Sequence, residues 1–442
     1  MQRRLLWLAF APLACGDITS EVAIGFETPR DDAPLGEVDN ITVSLTPQGF
    51  TEQFAVDGPD ASVEFELTPD DVSRTLSVFF ARGESLIAYG STPPFTYAGA
   101  AGAGVVVFLG YPGTVATLDR AFDLPDASTV LAPSYGRGAV ALGSDGTAVF
   151  LDTYTYTLIS IAPFGETVPA ADDGLFVGDD TGSVTRIAFA ESITATRYVY
   201  GTDSWMTVSE EDMSPRPGAS AWYDRSTARA FVAGGGEQTS VLQVEVATED
   251  TVLPTFTELD ARLDGPRPGA ALWGRAEAGT DGLVAFGGDD PALPLAWAVG
   301  SGQGSETTGL SWTGARCVAL DDTRVLCAGG AIDGETTADG AVVDVGAAAP
   351  VVSRLPDLLP VAMREVLWLE DDAAVYAQGE ARLVRIDRTS LEVTEPPGSP
   401  ARAVGGGAAI LPTGVTLIAG GVQADGSATD VWQLFSPALP TD

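Results

Sequence analysis

Six arginines occupy comparable places in a series of similar segments of this 442-residue chain. A guanidinium group is always charged, and its planar fork of donors matches a carboxylate. Six such groups converging on one opening would form a site for a carboxylate-bearing ligand. The alternative is that each arginine braces its own segment by donating to backbone carbonyl groups or to Asp. The six candidates are Arg137, Arg216, Arg267, Arg316, Arg364 and Arg402.

The amino-acid composition excludes several classes of catalytic and metal-binding site and disfavours one class of partner. The chain contains no His, and its 23 basic residues, all Arg, stand against 61 acidic ones, which gives a net charge of −38. Without His there is no Ser-His-Asp triad, no Cys-His pair and no His-ligated metal. The acidity disfavours nucleic acid as a partner, because phosphate binding needs a basic surface.

Acidic pairs such as Asp289-Asp290 and Asp371-Asp372 are the remaining candidates for a cation site. The Asp-x-Asp-x-Asp-Gly spacing of a calcium loop is absent, and Asp is common in turns for its own hydrogen bonding. We therefore expect these pairs to close turns, and we expect no metal and no cofactor.

The arginines belong to a repeated unit that begins near residue 111. Aliphatic runs ending in Gly-Gly recur at 231–236, 283–288, 325–330 and 415–421, and their second glycines are 53, 42 and 91 residues apart. The longest gap is about two periods, with a degenerate copy at its midpoint. A period of this length, with three or four short strands, fits one blade of a β-propeller.

The Gly-Gly strand followed by an aromatic strand, as at Trp432, resembles the kelch repeat, and the resemblance covers about 310 residues. It implies an all-β, kelch-like propeller over residues 111–438, with seven blades or, since the two upstream copies lack Gly-Gly, six. The last blade lacks a fourth strand, which residues 114–118 are expected to supply. The resemblance also implies that the arginine-bearing strand lies nearest the axis, so that the arginines line the pocket at one mouth.

The start of the chain has the pattern of an export signal. Two arginines precede a nine-residue apolar run at 5–13, which predicts a signal peptide over residues 1–14. Residues 12–16 resemble a bacterial lipobox, which implies lipidation of Cys15, although Pro12 departs from that pattern. The alternative is a plain signal peptide with an incidental cysteine.

Residues 15–110 alternate between apolar and polar side chains, as at 41–45, where Ile, Val and Leu share one face. This period of two predicts a small antiparallel β-sandwich that acts as a spacer.

The two remaining cysteines, Cys317 and Cys327, flank a turn centred on Asp322. If the hairpin has that register, the two side chains face each other and a cross-strand disulfide is favoured in an exported protein. A shift of one residue would leave two buried thiols instead.

Together these features favour an exported, non-enzymatic binding protein. We expect a monomer, lipid-anchored at the outer membrane or cell surface, or else facing the periplasm, that presents a propeller face to a protein or glycan ligand. The alternative is a carbohydrate-active propeller enzyme, a lyase, epimerase or sialidase-like hydrolase, that uses carboxylates and Tyr. Such an enzyme requires two carboxylates, or Tyr and a carboxylate, within about 5–10 Å in one axial pocket. A copper-radical oxidase, which shares the kelch architecture, is excluded because His is absent.

Overall fold

The computed structural model describes most of the chain beyond residue 104 and parts of the segment before it. The described residues are 8–9, 24–27, 38–47, 49–55, 63–64, 72–96, 105–118, 130–134, 137–143, 145–164, 174–179, 182–210, 213–246, 253–347, 349–396, 400, 402, 405–429 and 431–438. Cys15 and all but Leu8–Ala9 of the predicted signal peptide lie outside them.

Nine short strands come first in the chain. They are β1 (Leu8–Ala9), β2 (Ile24–Glu27), β3 (Asn40–Thr46), β4 (Phe50–Ala55), β5 (Val63–Glu64), β6 (Thr75–Arg82), β7 (Ser85–Ser91), β8 (Val105–Phe108) and β9 (Thr114–Leu118). Four of them form an antiparallel sheet in the order β4-β3-β6-β7, which we call the N-terminal sheet. The pairs β1-β5 and β2-β8 are parallel.

The N-terminal sheet buries one face, as its alternating sequence predicts. Ile41, Val43 and Leu45 point into a core with Leu76 and Val78 from the neighbouring strand, and each of these side chains is at most 3% exposed. The predicted sandwich partner for this sheet stays a prediction, because the described residues of the segment include only this one larger sheet.

Seven four-stranded antiparallel sheets follow. Sheet 1 contains β10 (Val130–Ser134), β11 (Gly138–Leu142), β12 (Ala148–Asp152) and β13 (Thr157–Ser160). Sheet 2 contains β14 (Gly174–Gly178), β15 (Val184–Ala188), β16 (Ile193–Val199) and β17 (Ser204–Glu210). Sheet 3 contains β18 (Ser220–Asp224), β19 (Arg229–Ala233), β20 (Ser240–Glu245) and β21 (Thr255–Arg262). Sheet 4 contains β22 (Ala271–Trp273), β23 (Val284–Phe286), β24 (Ala296–Ala298) and β25 (Gln303–Gly304).

The remaining strands complete sheets 5 to 7. Three short strands, β26 (Trp312–Thr313), β29 (Ala331–Ile332) and β30 (Glu335–Thr336), form a side sheet. Sheet 5 contains β27 (Arg316–Ala319), β28 (Arg324–Ala328), β31 (Gly340–Asp344) and β32 (Val351–Leu355). Sheet 6 contains β33 (Leu367–Glu370), β34 (Ala374–Gly379), β35 (Arg382–Asp387) and β36 (Val393–Thr394). Sheet 7 contains β37 (Gly407–Ile410), β38 (Thr416–Ala419), β39 (Trp432–Ser436) and, from the start of the chain, β9.

The seven sheets are arranged as a closed ring. The first strand of each sheet contacts the first strand of the next, from β10 through β14, β18, β22, β27 and β33 to β37, and β37 contacts β10 in turn. First strands that meet in a cycle surround a common axis, so the prediction of an all-β propeller is confirmed. The number of sheets equals the larger of the two blade counts that the sequence allows.

Strands in the ring are buried on both sides because each sheet packs between two others. In β19, Ala230 and Val232 pack towards sheet 2 and lie in one core with Ile187, whereas Phe231 packs towards sheet 4 and lies in another core with Ala285. Because both faces of these strands are buried, their sequences are continuous aliphatic runs and do not alternate between apolar and polar residues.

The ring is sealed by pairing between distant parts of the chain. β9 runs antiparallel to β39, with Leu118 opposite Trp432 and Thr114 opposite Ser436. The predicted use of residues 114–118 as the fourth strand of the last sheet is therefore confirmed.

The Gly-Gly pairs lie where the second strand meets the turn before the first. Gly235 has φ +82°, and a Cβ there would lie 2.6 Å from the carbonyl oxygen of Arg216. Gly330 has φ +77°, and its Cβ would lie 2.2 Å from the carbonyl oxygen of Thr313. Only glycine tolerates both this backbone angle and this approach, which gives the repeated pair a structural role.

The two sides of the ring differ in what covers them. We call the side where the first strands begin the start face, and the side where they end, which also carries the turns between third and fourth strands, the end face. The N-terminal sheet and β8 contact the end face: the hydroxyl of Tyr89 in β7 donates to the carbonyl oxygen of Pro437, and the backbone N–H of Val106 in β8 donates to that of Tyr154 at 2.7 Å. No helix in the described part of the chain is long and apolar enough to cross a membrane.

The closing strand yields a test of the ring. Leu118 is 4% exposed in the core of sheet 7, so Leu118→Ala should lower the free energy of unfolding by about 2–5 kcal/mol. Ile410→Ala, in the same sheet but 50% exposed, should lower it by about 0.5 kcal/mol or less. Urea unfolding followed by fluorescence measures both, and equal losses would contradict the closure.

Candidate functional site

Five of the six predicted arginines lie at the start face. Each precedes or begins the first strand of its sheet, in sheets 3 to 7. In chain order these are Arg216, Arg267, Arg316, Arg364 and Arg402. The expectation of one shared position is wrong for Arg316, which begins its strand and matches Ser220 and Ala271 rather than Arg216 and Arg267, because the turn before β27 carries Trp312 at the arginine place. The side chains of the five arginines also have different surroundings.

Arg137 is placed differently from the expectation. It lies in the turn between the first and second strands of sheet 1, on the end face, rather than at the start of a first strand. Its Nε and Nη2 donate to Oδ2 of Asp152 at 3.2 and 3.0 Å, and its guanidinium carbon lies 4.4 Å from the ring centre of Tyr200. The first strand, β10, lies upstream in a segment with no glycine pair to mark it.

Arg267 is a brace within sheet 4. Its side chain is 1% exposed, and its Nε and Nη2 donate to the two carboxylate oxygens of Asp264 at 2.8 and 2.9 Å. Its Nη1 donates to the carbonyl oxygen of Gly287, and its Nη2 to that of Pro294, both at 2.7 Å. The guanidinium thus ties the start of the first strand to the turn between the second and third.

Arg216 has the same bracing role in sheet 3. It is 4% exposed and donates to the carbonyl oxygen and the hydroxyl of Ser240, at 2.6 and 2.7 Å. Burial lowers the pKa of Arg216. Both arginines therefore match the bracing alternative, in which backbone carbonyl groups take the place of a ligand.

Arg402 is also buried, at 3% exposure, but its Nε and Nη1 have no hydrogen-bond partner among the residues that the structure describes. Its carbonyl oxygen accepts a hydrogen bond from Nε2 of Gln378 at 3.0 Å. Burial lowers the pKa of Arg402 to about 10, and the charge of Glu365 acts in the opposite direction. Arg402 thus lies inside the wall of the ring rather than in its opening.

Arg316 and Arg364 are exposed, and of these two only Arg316 lines the axial cavity. Three of the predicted arginines are therefore buried, one lies on the opposite face, and two remain accessible on the start face. The described residues do not bring the six guanidinium groups to one opening.

A cavity lies among the first residues of four consecutive first strands, in sheets 2 to 5, and beside Phe189 at the end of a second strand. Its volume is about 330 Å³, which is at the lower end of the range for small-molecule pockets. It is lined by Gly174, Leu175, Phe189, Ala219, Ser220, Ala221, Trp222, Ala271, Leu272, Arg316 and Cys317. Among the lining residues that the structure describes, Arg316 is the charged one.

Small side chains keep this space open, and sequence reasoning did not identify them as a site. The segments 218–222 and 269–273 read Gly-Ala-Ser-Ala-Trp and Gly-Ala-Ala-Leu-Trp, and both supply wall residues. Two near-copies of one small-residue segment were a visible signal. The sequence alone does not show that the two segments line one cavity, because only the folded ring brings them around one axis.

The wall is fixed at one point by a covalent link. Cys317 faces Cys327 directly across β27 and β28, and their sulfur atoms are bonded, with the Cα atoms 4.1 Å apart. Because Cys317 lines the cavity, the link holds the strand that carries Arg316.

Asp residues close turns throughout the ring. The Asp321 carboxylate accepts the backbone N–H groups of Thr323 and Arg324, both at 2.8 Å. Although burial acts to raise it, these bonds lower the pKa of Asp321 to about 2. The same bond from an Asp to the N–H two residues ahead occurs at Asp145, Asp152, Asp224, Asp290, Asp344, Asp371, Asp387 and Asp425.

This local bonding is the turn chemistry expected of the acidic pairs. In the part of the chain that the structure describes, no group of three or more acidic, Cys or His side chains is placed to hold a metal ion.

A carbohydrate-active enzyme would need acid–base groups in an axial pocket. The lining of the cavity, as far as the structure describes it, contains neither a carboxylate nor Tyr. A Tyr–carboxylate pair does occur where the Tyr376 hydroxyl donates to Oδ2 of Asp371 at 2.6 Å. Both residues are buried, at 0% and 8% exposure, and burial and the Asp371 charge raise the pKa of Tyr376. This pair lies outside the cavity and also closes a turn.

Comparisons with known proteins give only distant structural similarity. No family model and no curated protein matches the sequence. A chain in a crystal structure of the mitotic checkpoint complex is 12% identical and has a TM-score of 0.48, covering 73% of this chain and 95% of that one. The Myceliophteria thermophila Cps50 (Swd1) β-propeller domain has the same identity and TM-score, with coverages of 73% and 99%. The structure of YjhT is also 12% identical, with a TM-score of 0.40 and coverages of 70% and 95%.

The bracing role of the buried arginines can be tested. Arg267→Met should lower the free energy of unfolding by about 2–4 kcal/mol, because it leaves the carbonyl oxygens of Gly287 and Pro294 and the largely covered Asp264 carboxylate, which is 11% exposed, without their partner. Arg364→Met, at the equivalent but exposed place in sheet 6, should change it by about 0.5 kcal/mol or less. Both are measured by urea unfolding. An Arg267→Met variant as stable as the parent protein would contradict the bracing role and make Arg267 a candidate for ligand binding again.

Proposed function

We propose that this chain is a non-enzymatic binding protein of the bacterial envelope, in which a kelch-type propeller of seven blades presents its start face to a protein partner. Each four-stranded sheet of the ring is taken as one blade. The observation that carries the proposal is the position of the N-terminal sheet, whose contacts with the ring lie on the end face.

This arrangement leaves the start face directed away from the N-terminal sheet. The turns between second and third strands lie there, and they carry exposed side chains such as Glu237, Asp289 and Glu335. Binding residues are commonly placed on loops that a rigid scaffold holds. A ring closed by strand pairing and packed on both sides of each sheet is such a scaffold.

The cavity lining supports binding over the carbohydrate-active alternative. Glycoside chemistry needs two acid–base groups at a set distance, and the described wall offers one Arg, one Ser and otherwise uncharged side chains. A carbohydrate-active enzyme could also use a Tyr and a carboxylate. The Tyr376–Asp371 pair is of that kind, but it is buried and hydrogen-bonded within the fold.

Envelope anchoring is supported by the sequence alone. A lipid on Cys15, as the lipobox-like segment implies, would tether the chain by its start. Two arginines and a nine-residue apolar run precede that cysteine, which is the pattern of an export signal too short to span a bilayer.

The proposed face is tested by site-specific photo-crosslinking in the cells that make the protein. A photo-reactive side chain in place of Glu335, exposed on the start face of sheet 5, should give an adduct with a discrete protein. The matched control replaces Asp322, exposed on the end face of the same sheet, and should give none.

The outcomes separate the alternatives. Adducts from Asp322 alone, or from neither position, would reject the start face as the binding surface. Adducts of heterogeneous mass that collapse after glycosidase treatment would indicate a glycan rather than a protein partner.

Anchoring is tested independently at the lipid. In cells grown with an alkyne-tagged fatty acid, the parent chain should carry the tag and sediment with membranes, and Cys15→Ser should lose both properties. Unchanged sedimentation and labelling of the variant would show that Cys15 is not the anchor.

A further inference from the structure

We propose that the wall of the ring between sheets 6 and 7 binds a small inorganic anion, such as chloride, at the guanidinium of Arg402. This site is separate from the protein-binding surface proposed above, and Arg402 does not line the axial cavity. The observation that carries the proposal is a buried cation whose Nε and Nη1 have no acceptor among the described residues.

The other buried arginines of the repeat show what this place in a sheet requires. Arg267 donates to two carbonyl oxygens and a carboxylate, and Arg216 donates to the carbonyl oxygen and hydroxyl of Ser240. Arg402 also precedes the first strand of its sheet and is 3% exposed, yet the described part of the chain gives its Nε and Nη1 no such acceptors. Buried donors without acceptors are costly, because folding has removed their hydrogen bonds to water.

The guanidinium of Arg402 keeps its charge in this environment. Burial lowers the pKa of Arg402 to about 10, which leaves the group protonated at neutral pH. The charge of Glu365 opposes this shift, but Oε2 of Glu365 accepts the backbone N–H of Gly405 at 2.8 Å, and the described contacts include no bond from it to Arg402. A water molecule would accept a guanidinium N–H and leave the charge uncompensated, whereas an anion does both.

Hydrogen bonds from sheet 6 fix the backbone that carries this side chain. The carbonyl oxygen of Arg402 accepts the side-chain amide of Gln378 at 3.0 Å and the backbone N–H of Ala381 at 3.1 Å. Three residues further on, Glu365 holds the N–H of Gly405. The position of the guanidinium inside the wall is therefore set by the fold, and an anion bound there would link sheets 6 and 7.

The closeness of the backbones in this wall favours a small anion. A Cβ at Gly379 would lie 2.6 Å from the carbonyl oxygen of Glu365, and one at Gly406 would lie 2.6 Å from that of Ala419. A monatomic ion needs less room than a phosphate or a carboxylate-bearing ligand. Oε1 of Gln378 is also buried without a partner among the described residues, and a water molecule that hydrates the anion could donate to it.

Urea unfolding at constant ionic strength tests the proposal, with chloride as the probe and the bulkier gluconate as its replacement. Changing gluconate for chloride at about 0.2 M should lower the unfolding equilibrium constant of the parent chain about tenfold, the effect of a ligand at about ten times its dissociation constant. Constant ionic strength keeps the screening of the net charge of −38 the same in both salts.

Two variants separate the site from a general effect of salt. Arg402→Met should lose the tenfold response, because its side chain offers the anion no donor. Arg364→Met, which replaces an exposed arginine before the first strand of sheet 6, is the matched control and should keep the response. Equal responses from the two variants would overturn the proposal.

Anomalous diffraction from crystals of the parent chain grown in bromide locates the anion without any variant. The expected result is a bromide ion within hydrogen-bond distance of Nε or Nη1 of Arg402. Water alone at these two atoms, or a parent chain equally stable in chloride and gluconate, would also reject the site.

Discussion

The pairing of β9 with β39 is the interaction on which the rest of the molecule depends. The last sheet of the ring reaches four strands only because a strand from the start of the ring-forming chain completes it. Without it, β39 would expose an unpaired edge and sheets 7 and 1 would lose part of the core that they share. The closed ring then fixes which residues surround the axis, and so creates the cavity.

Within the ring, each sheet is held at its start by polar groups and along its length by apolar packing. The glycine pairs let the turn before the first strand lie against the second strand, and buried arginines such as Arg267 join that turn to the third strand. Asp residues such as Asp321 close the turns at the opposite end of the sheet, because the Asp carboxylate accepts a hydrogen bond from the backbone N–H two residues ahead. Much of the unusual composition is therefore structural: the glycines, several arginines and many carboxylates are used to build turns.

The sequence predicted the architecture better than the site, for a physical reason. The repeat, the closing strand at 114–118 and the register that places Cys317 opposite Cys327 are properties of local patterns, and each can be read along one strand. The direction of a side chain at the end of a strand is not such a property. Arg267 and Arg364 occupy equivalent places, four residues before matching positions of their first strands, yet one is buried against Asp264 and the other is exposed.

The same limit explains Arg137 and the cavity. Sheet 1 has no glycine pair, so the sequence offered no mark for the strand that precedes Arg137. The wall residues from 218–222 and 269–273 are small and unremarkable by themselves. They line one cavity only because four first strands meet around an axis, and no single segment of the sequence specifies that meeting.

The position of β9 has a consequence for how the protein is made. Synthesis proceeds from the N-terminus, so residues 114–118 are made long before their partners at 432–436. Until those partners are made, the nascent chain carries a strand whose partner does not yet exist, beside a growing row of sheets. Such intermediates tend to aggregate, and like charges along the chain oppose it. A net charge of −38 would thus protect the unfinished ring as well as the finished one.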